Sequence, residues 1–314
     1  MLLALKIDVD TLRGTREGVP RLLEVLRRHD ASATFLFSVG PDHTGRAIRR
    51  VFRPGFFEKV QRTSVVRHYG ITTLLYGTLL PGPDIGRRAG EVMRRARDDG
   101  FEVGVHSWDH VKWQDGLDGA CAEWIGKQMG LACERFTDIF KEPPRTHGAA
   151  GWQMNAHALR LTQALGFDYC SDGRGTHPHL PVWNAELIRC PQLPTTLPTL
   201  DELIGTDGIT EDNVADSLLA STASLSANPG FAGHVFTLHA ELEGMRLTAV
   251  FERLLEGWKA QGYQLVPMRA IYESLQALAL PRCEAHIGTV PGRSGTLLAQ
   301  GGEFLAGVDL AQAA

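Results

Sequence analysis

The chain has few cysteines and no paired motif among them. Cys121, Cys133, Cys170, Cys190 and Cys283 are odd in number, widely spaced and without a CxxC pair. That excludes the disulfide framework of a small secreted domain and agrees with a reducing cytosol. No run approaches the roughly 20 uncharged apolar residues needed to cross a bilayer. The opening MLLALKIDVD acquires charge at Lys6 and has no small-residue cleavage site, so it reads as a first strand rather than a signal peptide. Neither sign of charge dominates. A net charge of −4 and a pI near 6.3 argue against bulk nucleic-acid binding. Internal repeats, low-complexity linkers, a GxSxG elbow, a P-loop and a GxGxxG turn are all missing. Serine-hydrolase, NTPase and dinucleotide-binding classes therefore have no support.

What is present suits one large α/β unit. With 314 residues, 43% of them apolar, the chain can bury a sizeable core, and a single α/β barrel uses most of that length. Short β-branched runs (LLALKIDV, ATFLFSV, FEVGVHS, a weak one near HGAAGW, FDYCSD, LIRCPQL, HVFTLHA and QLVPM) alternate with amphipathic segments closed by Gly100, Gly166 and Gly262. Seven or eight such βα units predict a parallel (β/α) barrel over residues 1–280. The Gly- and Ala-rich tail 281–314 is expected to be loop with partial order and carries no assigned chemistry.

Barrel chemistry gathers at the carboxyl ends of the strands. Asp8 and Asp10 end the first run, His106 and His110 the third, Asp172 the FDYCSD run and His239 the HVFTLHA run. His106 and His110 are four apart, so one turn can aim both imidazoles at a single ion. Position 107 is Ser, which excludes an HExxH zincin. Asp10 is placed to complete a His₂Asp site that leaves room for water. Of the two aspartates, one can bind metal while the other takes a proton from water. Opposite that centre, His239 is the natural general acid, and Asp172 is a candidate to orient it. Glu241 and Glu243 could touch polar sugar groups. Trp108, Trp113 and Trp152 could stack on a sugar face or narrow an acyl pocket. His177 and His179 in THPH read as structural residues. Zn²⁺ suits the donor set best, with Co²⁺, Mn²⁺ or Ni²⁺ as alternatives.

One stretch, about 41–83, is too long for a βα connection. Within 46–67 lie Arg46, Arg49, Arg50, Arg53, Lys59, Arg62 and Arg67 against the single acid Glu58, interleaved with Phe52, Phe56 and Phe57. This pattern suits either a solvated helical insertion or a dock for lipid phosphate and an anionic membrane.

Together these residues resemble the NodB-type polysaccharide deacetylase superfamily. Its strand-end aspartate pair is matched by Asp8 and Asp10, its His-x-x-x-His pair by His106 and His110, and its Leu-His strand end by Leu238 and His239. The resemblance implies a distorted seven- or eight-stranded barrel. It assigns Asp8 as base, Asp10, His106 and His110 as metal ligands, and His239 as acid. The runs IDVDTLRGTREGVPRLLEVL, FSVGPD, HGAAGW, SDGRG, LPTTLPT and TLHAELEG are similar to the deformylases of undecaprenyl-phosphate 4-deoxy-4-formamido-L-arabinose, over about residues 3–280. That implies a hydrolase releasing formate and an aminoarabinose lipid for lipid A modification and polymyxin resistance. It further implies a cytoplasmic protein, peripheral on the inner-membrane leaflet. Two departures stand out. Val9 separates aspartates that many relatives have adjacent. HGAAGW replaces an Arg-Pro-Pro-Tyr motif, leaving Arg145 and Arg174 as candidates for the missing arginine. A deacetylase of an N-acetylated cell-wall glycan and a non-catalytic lipid-phosphate binding barrel are the alternatives.

Overall fold

The structure is a computed structural model that describes residues 1–47, 70–225, 233–275 and 279–305. Eleven strands are found among them. They are β1 (Leu2–Val9), β2 (Thr34–Ser38), β3 (Glu102–Ser107), β4 (Thr146–His147), β5 (Tyr169–Cys170), β6 (Leu180–Trp183), β7 (Glu186–Leu187), β8 (His234–His239), β9 (Gln264–Val266), β10 (Arg282–Gly288) and β11 (Leu297–Glu303). Seven of these form a parallel sheet in the order β5-β4-β3-β2-β1-β8, with β9 also paired to β1. The strand ladder alone leaves β5 and β8 unjoined. The extended segment 191–197 closes the gap. On one side Cys170 N–H donates to Pro191 O and Leu193 N–H to Cys170 O, both at 2.8 Å, and on the other Thr196 N–H donates to Val235 O at 3.0 Å. The result is the distorted (β/α) barrel that the alternation predicts. LIRCPQL, read as one barrel strand, splits between β7 and this closing segment.

β1 shows how the period of two sorts residues. Leu3, Leu5, Ile7 and Val9 join the main core under the helices Val19–Arg28, Ile85–Asp98 and Thr248–Ala260. Ala4 faces the other way, into a smaller cluster with Leu36, Tyr169, Leu193, Val235 and Met268. Alternation therefore puts Lys6 and Asp8 on the inner face above Ala4, and carries Asp10 to the rim. The helix Met268–Ser274 stops the bottom of this interior with Met268 and Ile271. Gly100, Gly166 and Gly262 do end their helices, each at a positive φ of 90°, 75° and 85° that an L-residue resists.

The tail differs from its expectation. β10 and β11 pair antiparallel, and β10 also pairs with β6, making a separate four-stranded sheet. Its partner lies about a hundred residues upstream, and β10 alternates poorly between buried and exposed, so its sequence gives no strand signal. Of the basic insertion, Arg46 is described and donates through Nε to Gly77 O at 2.9 Å. Arg49, Arg50, Arg53, Lys59, Arg62 and Arg67 lie outside the described residues. Beyond them Leu79 is 81% exposed and Leu80 40%.

Candidate active site

The loop after β1 turns through a π-helical stretch, Gly14–Gly18, and the loop after β8 through another, Leu242–Arg246. The two pack together. A Cβ at Gly18 would lie 2.1 Å from Ala240 O, so only glycine lets the loops approach. Glu241 ties them chemically. Its Oε1 accepts from Asp10 N–H at 3.1 Å and from the N–H and hydroxyl of Thr11, both at 2.8 Å. Glu243 accepts from His239 N–H at 2.8 Å. Burial pushes the Glu241 carboxyl up to about 8, with the charge of Asp10 adding to it, and the Glu243 carboxyl up to about 7 against the opposing charge of His239. Both hold backbone N–H groups of the site loops, and Glu241 also holds the Thr11 hydroxyl.

Asp10, His106 and His110 converge, with donor atoms all within 4.8 Å of one another. His106 Nε2 is 3.2 Å from Asp10 Oδ1, and His110 Nε2 is 3.5 Å from Asp10 Oδ2. Donors held about 2.1 Å from a tetrahedral ion stand roughly 3.4 Å apart, which these spacings match. Asp10 Oδ1 is buried and makes no hydrogen bond, as expected of an atom aimed at a cation. His106 Nδ1 lies 2.7 Å from Gly148 O, a bond that makes Nδ1 the protonated nitrogen and leaves the Nε2 lone pair for a ligand. His110 is aimed by its helix, His110–Gly116, whose N-cap Asp109 accepts from Lys112 N–H at 3.1 Å. Burial alone would raise the Asp10 carboxyl; the His110 and His106 imidazoles instead hold it well below the usual carboxylate range. The three residues fit a divalent cation.

Asp8 and His239 flank this group. They are register partners on the adjacent strands β1 and β8. Asp8 Oδ1 is buried without a hydrogen bond and faces His106, 3.8 Å from Nδ1. Burial lowers the His239 imidazole, but the charges of Asp10, Asp201, Glu243 and Asp8 outweigh it and raise the group overall.

Asp172 does not serve His239. Its Oδ1 is 2.6 Å from His147 Nδ1, and its Oδ2 accepts from Gln192 Nε2 at 3.0 Å. Alternation sends Cys170 and Asp172 outward from the barrel, and His147 stacks on Phe167 and meets Trp113. His147, Cys170 and Asp172 also cluster closely enough to hold a metal. Hydrogen bonds already satisfy the imidazole and carboxylate, and burial pushes the Cys170 thiol well up, away from the thiolate that binds metal.

Trp152 is 2% exposed, with Arg293, Arg174 and Lys6 at 4.5, 5.1 and 5.4 Å from its ring. Trp113 is buried in the second core cluster, so it does not line an open pocket. Trp108 is partly buried, between Gly40 and Arg135. His177 and His179 lie in the loop just before β6, where His179 pairs through its backbone with Gln192 of the closing segment. Neither candidate arginine reaches Asp8. Arg145 is exposed beside Asp168, and Arg174 is held by both oxygens of Glu202 at 2.7 and 2.8 Å. Lys6, a lysine inside an apolar strand two residues before Asp8, also faces this site, and its place in the run is a visible signal of that.

Comparison with known proteins agrees with this geometry. The polysaccharide deacetylase family matches residues 4–170. The probable 4-deoxy-4-formamido-L-arabinose-phosphoundecaprenol deformylase ArnD of Shewanella sediminis (strain HAW-EB3) is 39% identical, across 84% of this chain and 83% of its own length. The protein of the same name from Wigglesworthia glossinidia brevipalpis is 32% identical, across 91% and 98%. A crystal structure from Mycobacterium smegmatis, assigned to the polysaccharide deacetylases, shares the fold with a TM-score of 0.62 at 18% identity, covering 92% of this chain and 94% of that one.

Proposed function

The chain belongs to the polysaccharide deacetylase family and is an amide-bond hydrolase, and from that premise we propose that it removes the formyl group of undecaprenyl-phosphate 4-deoxy-4-formamido-L-arabinose. The observation that carries this reading is the convergence of Asp10, His106 and His110 beside Asp8 and His239. The substrate is that of the named relatives, which match most of the chain.

What a divalent ion supplies when held by Asp10, His106 and His110 is Lewis acidity toward the amide carbonyl and toward water. Zn²⁺ suits these nitrogen and oxygen donors, with Co²⁺, Mn²⁺ or Ni²⁺ as alternatives. Asp8 presents Oδ1 to the attacking water and takes its proton. His239 stands on the next strand and delivers a proton to the departing amine, so the products are formate and the free 4-amino sugar on its lipid carrier. Glu241 and Glu243 keep the two loops in register through Asp10, Thr11 and His239.

Among the described residues no helix is long and apolar enough to cross a membrane. The undecaprenyl tail is insoluble, so the sugar must be met at a bilayer surface. We place the protein at the cytoplasmic face of the inner membrane, docked through the basic residues of the 46–67 sequence, with Leu79 and Leu80 exposed to join them. The amino sugar formed there is suited to lipid A modification and hence polymyxin resistance. The test is formate release from the purified lipid substrate by metal-loaded protein. Release that stops on chelation and returns with metal supports the reading; no release at any metal loading refutes it.

A further inference from the structure

Lys6 is a fully buried lysine in the middle of β1, 0% exposed, on the barrel's inner face. A charged amine in such a place is costly unless an opposite charge and hydrogen bonds meet it. Its Nζ meets three groups. It donates to Ser171 O at 3.1 Å, lies 3.5 Å from Asp8 Oδ2, and sits 5.4 Å from the centre of the Trp152 ring. Space for it is left by Gly148, where a Cβ would come within 3.0 Å of Lys6 Cε and 3.3 Å of Nζ. The other carboxylate oxygen, Asp8 Oδ1, is buried without a hydrogen bond.

We propose that Lys6 is the positioning residue of the reaction, its ammonium gripping Asp8 Oδ2 so that Oδ1 is fixed toward the water. The inference rests on the reading of Asp8 as base. A carboxylate free to rotate about its Cβ–Cγ bond would offer either oxygen, or turn toward the bound cation. Anchored on one side by Lys6, and with the lysine itself fixed by Ser171 O and Trp152, Asp8 can present only one. Lys6 touches neither substrate nor the reacting atoms. Its effect runs through Asp8.

The experiment uses full-length, metal-loaded protein and four variants: Lys6→Met, Lys6→Arg, Asp8→Asn and the double Lys6→Met/Asp8→Asn. Metal content, kcat, KM and thermal unfolding are read for each. Lys6→Met should lower kcat by about 10²-fold, the scale of a misplaced reacting group, while KM and metal content stay near wild type. Lys6→Arg should recover part of that loss. In the Asp8→Asn background Lys6→Met should remove nothing further. If Lys6→Met fails to fold, the double variant should fold, because it leaves neither Asp8 nor Lys6 buried with an uncompensated charge. Wild-type kcat in Lys6→Met overturns the proposal, as does loss of kcat only in step with metal. A double variant as unfolded as Lys6→Met also overturns it. Turnover retained by Asp8→Asn would instead refute the base assignment beneath it.

Discussion

Asp8 and His239 are register partners on neighbouring parallel strands, so the proposed base and the proposed acid are set side by side by the hydrogen-bond ladder between β1 and β8. Strand spacing of about 4.8 Å then holds them on one face, on either side of a reacting amide. Asp8→Asn should keep bound metal and lose about 10²- to 10⁴-fold in turnover, and His239→Ala should do the same. His106→Ala should lose metal and turnover together. Metal analysis beside the rate assay separates these; near wild-type turnover in Asp8→Asn would reject the base.

Gly14 has an environment that tolerates no side chain. A Cβ there would lie 1.9 Å from Glu241 Oε1, an oxygen already held by Asp10 and Thr11. Gly14→Ala should therefore displace Glu241, destabilise the fold by about 1–3 kcal/mol and weaken metal binding by about 10- to 100-fold. Denaturant unfolding and metal titration check it. Wild-type values in both would mean that the Glu241 bridge does not hold Asp10 in place.

Burial pushes the imidazoles of His179 and His234 down to about 4, with no carboxylate to oppose it. The unfolded chain protonates both below about pH 6.5, whereas the fold does not until about pH 4. Their contribution to stability is thus complete above about pH 6.5 and lost as pH falls toward 4, on the order of 2–3 kcal/mol for each. Urea unfolding of metal-free protein at pH 7 and pH 4.5 should show this loss, and His179→Gln/His234→Gln should lessen it. An equal loss in wild type and variant would contradict the assignment.

Replacing Arg46, Arg49, Arg50 and Arg53 with Gln should weaken binding to anionic vesicles by several kcal/mol, at about 1 kcal/mol per charge, while costing the fold no more than the Arg46–Gly77 hydrogen bond, about 1 kcal/mol. Co-sedimentation with vesicles of stated anionic content measures it. Unchanged binding would remove the membrane dock.

Much of the site was legible because strand ends are legible. Asp8, Asp10, His106, His110 and His239 interrupt apolar runs at the rim, and the structure brings all five together. Asp172 ends a run of the same kind, yet alternation turns it outward to His147, a partner 25 residues away that no local pattern announces. Lys6 is on view in the same way, but its meaning depends on Gly148 and Ser171, just past the ends of β4 and β5 far along the chain. The closing segment 191–197 and the tail sheet were hidden for a related reason. Both are held by backbone pairing to remote partners, which leaves little periodicity in the residues themselves.

The central claim is most directly tested by mass spectrometry of one reaction mixture containing the metal-loaded protein and two competing substrates. One is the formamido-arabinose lipid phosphate and the other an N-acetylated glycan oligomer. Formate from the lipid, with the glycan untouched, is the predicted result. Acetate from the glycan, with the lipid unchanged, would keep the barrel and its catalytic set but contradict the substrate and the membrane dock.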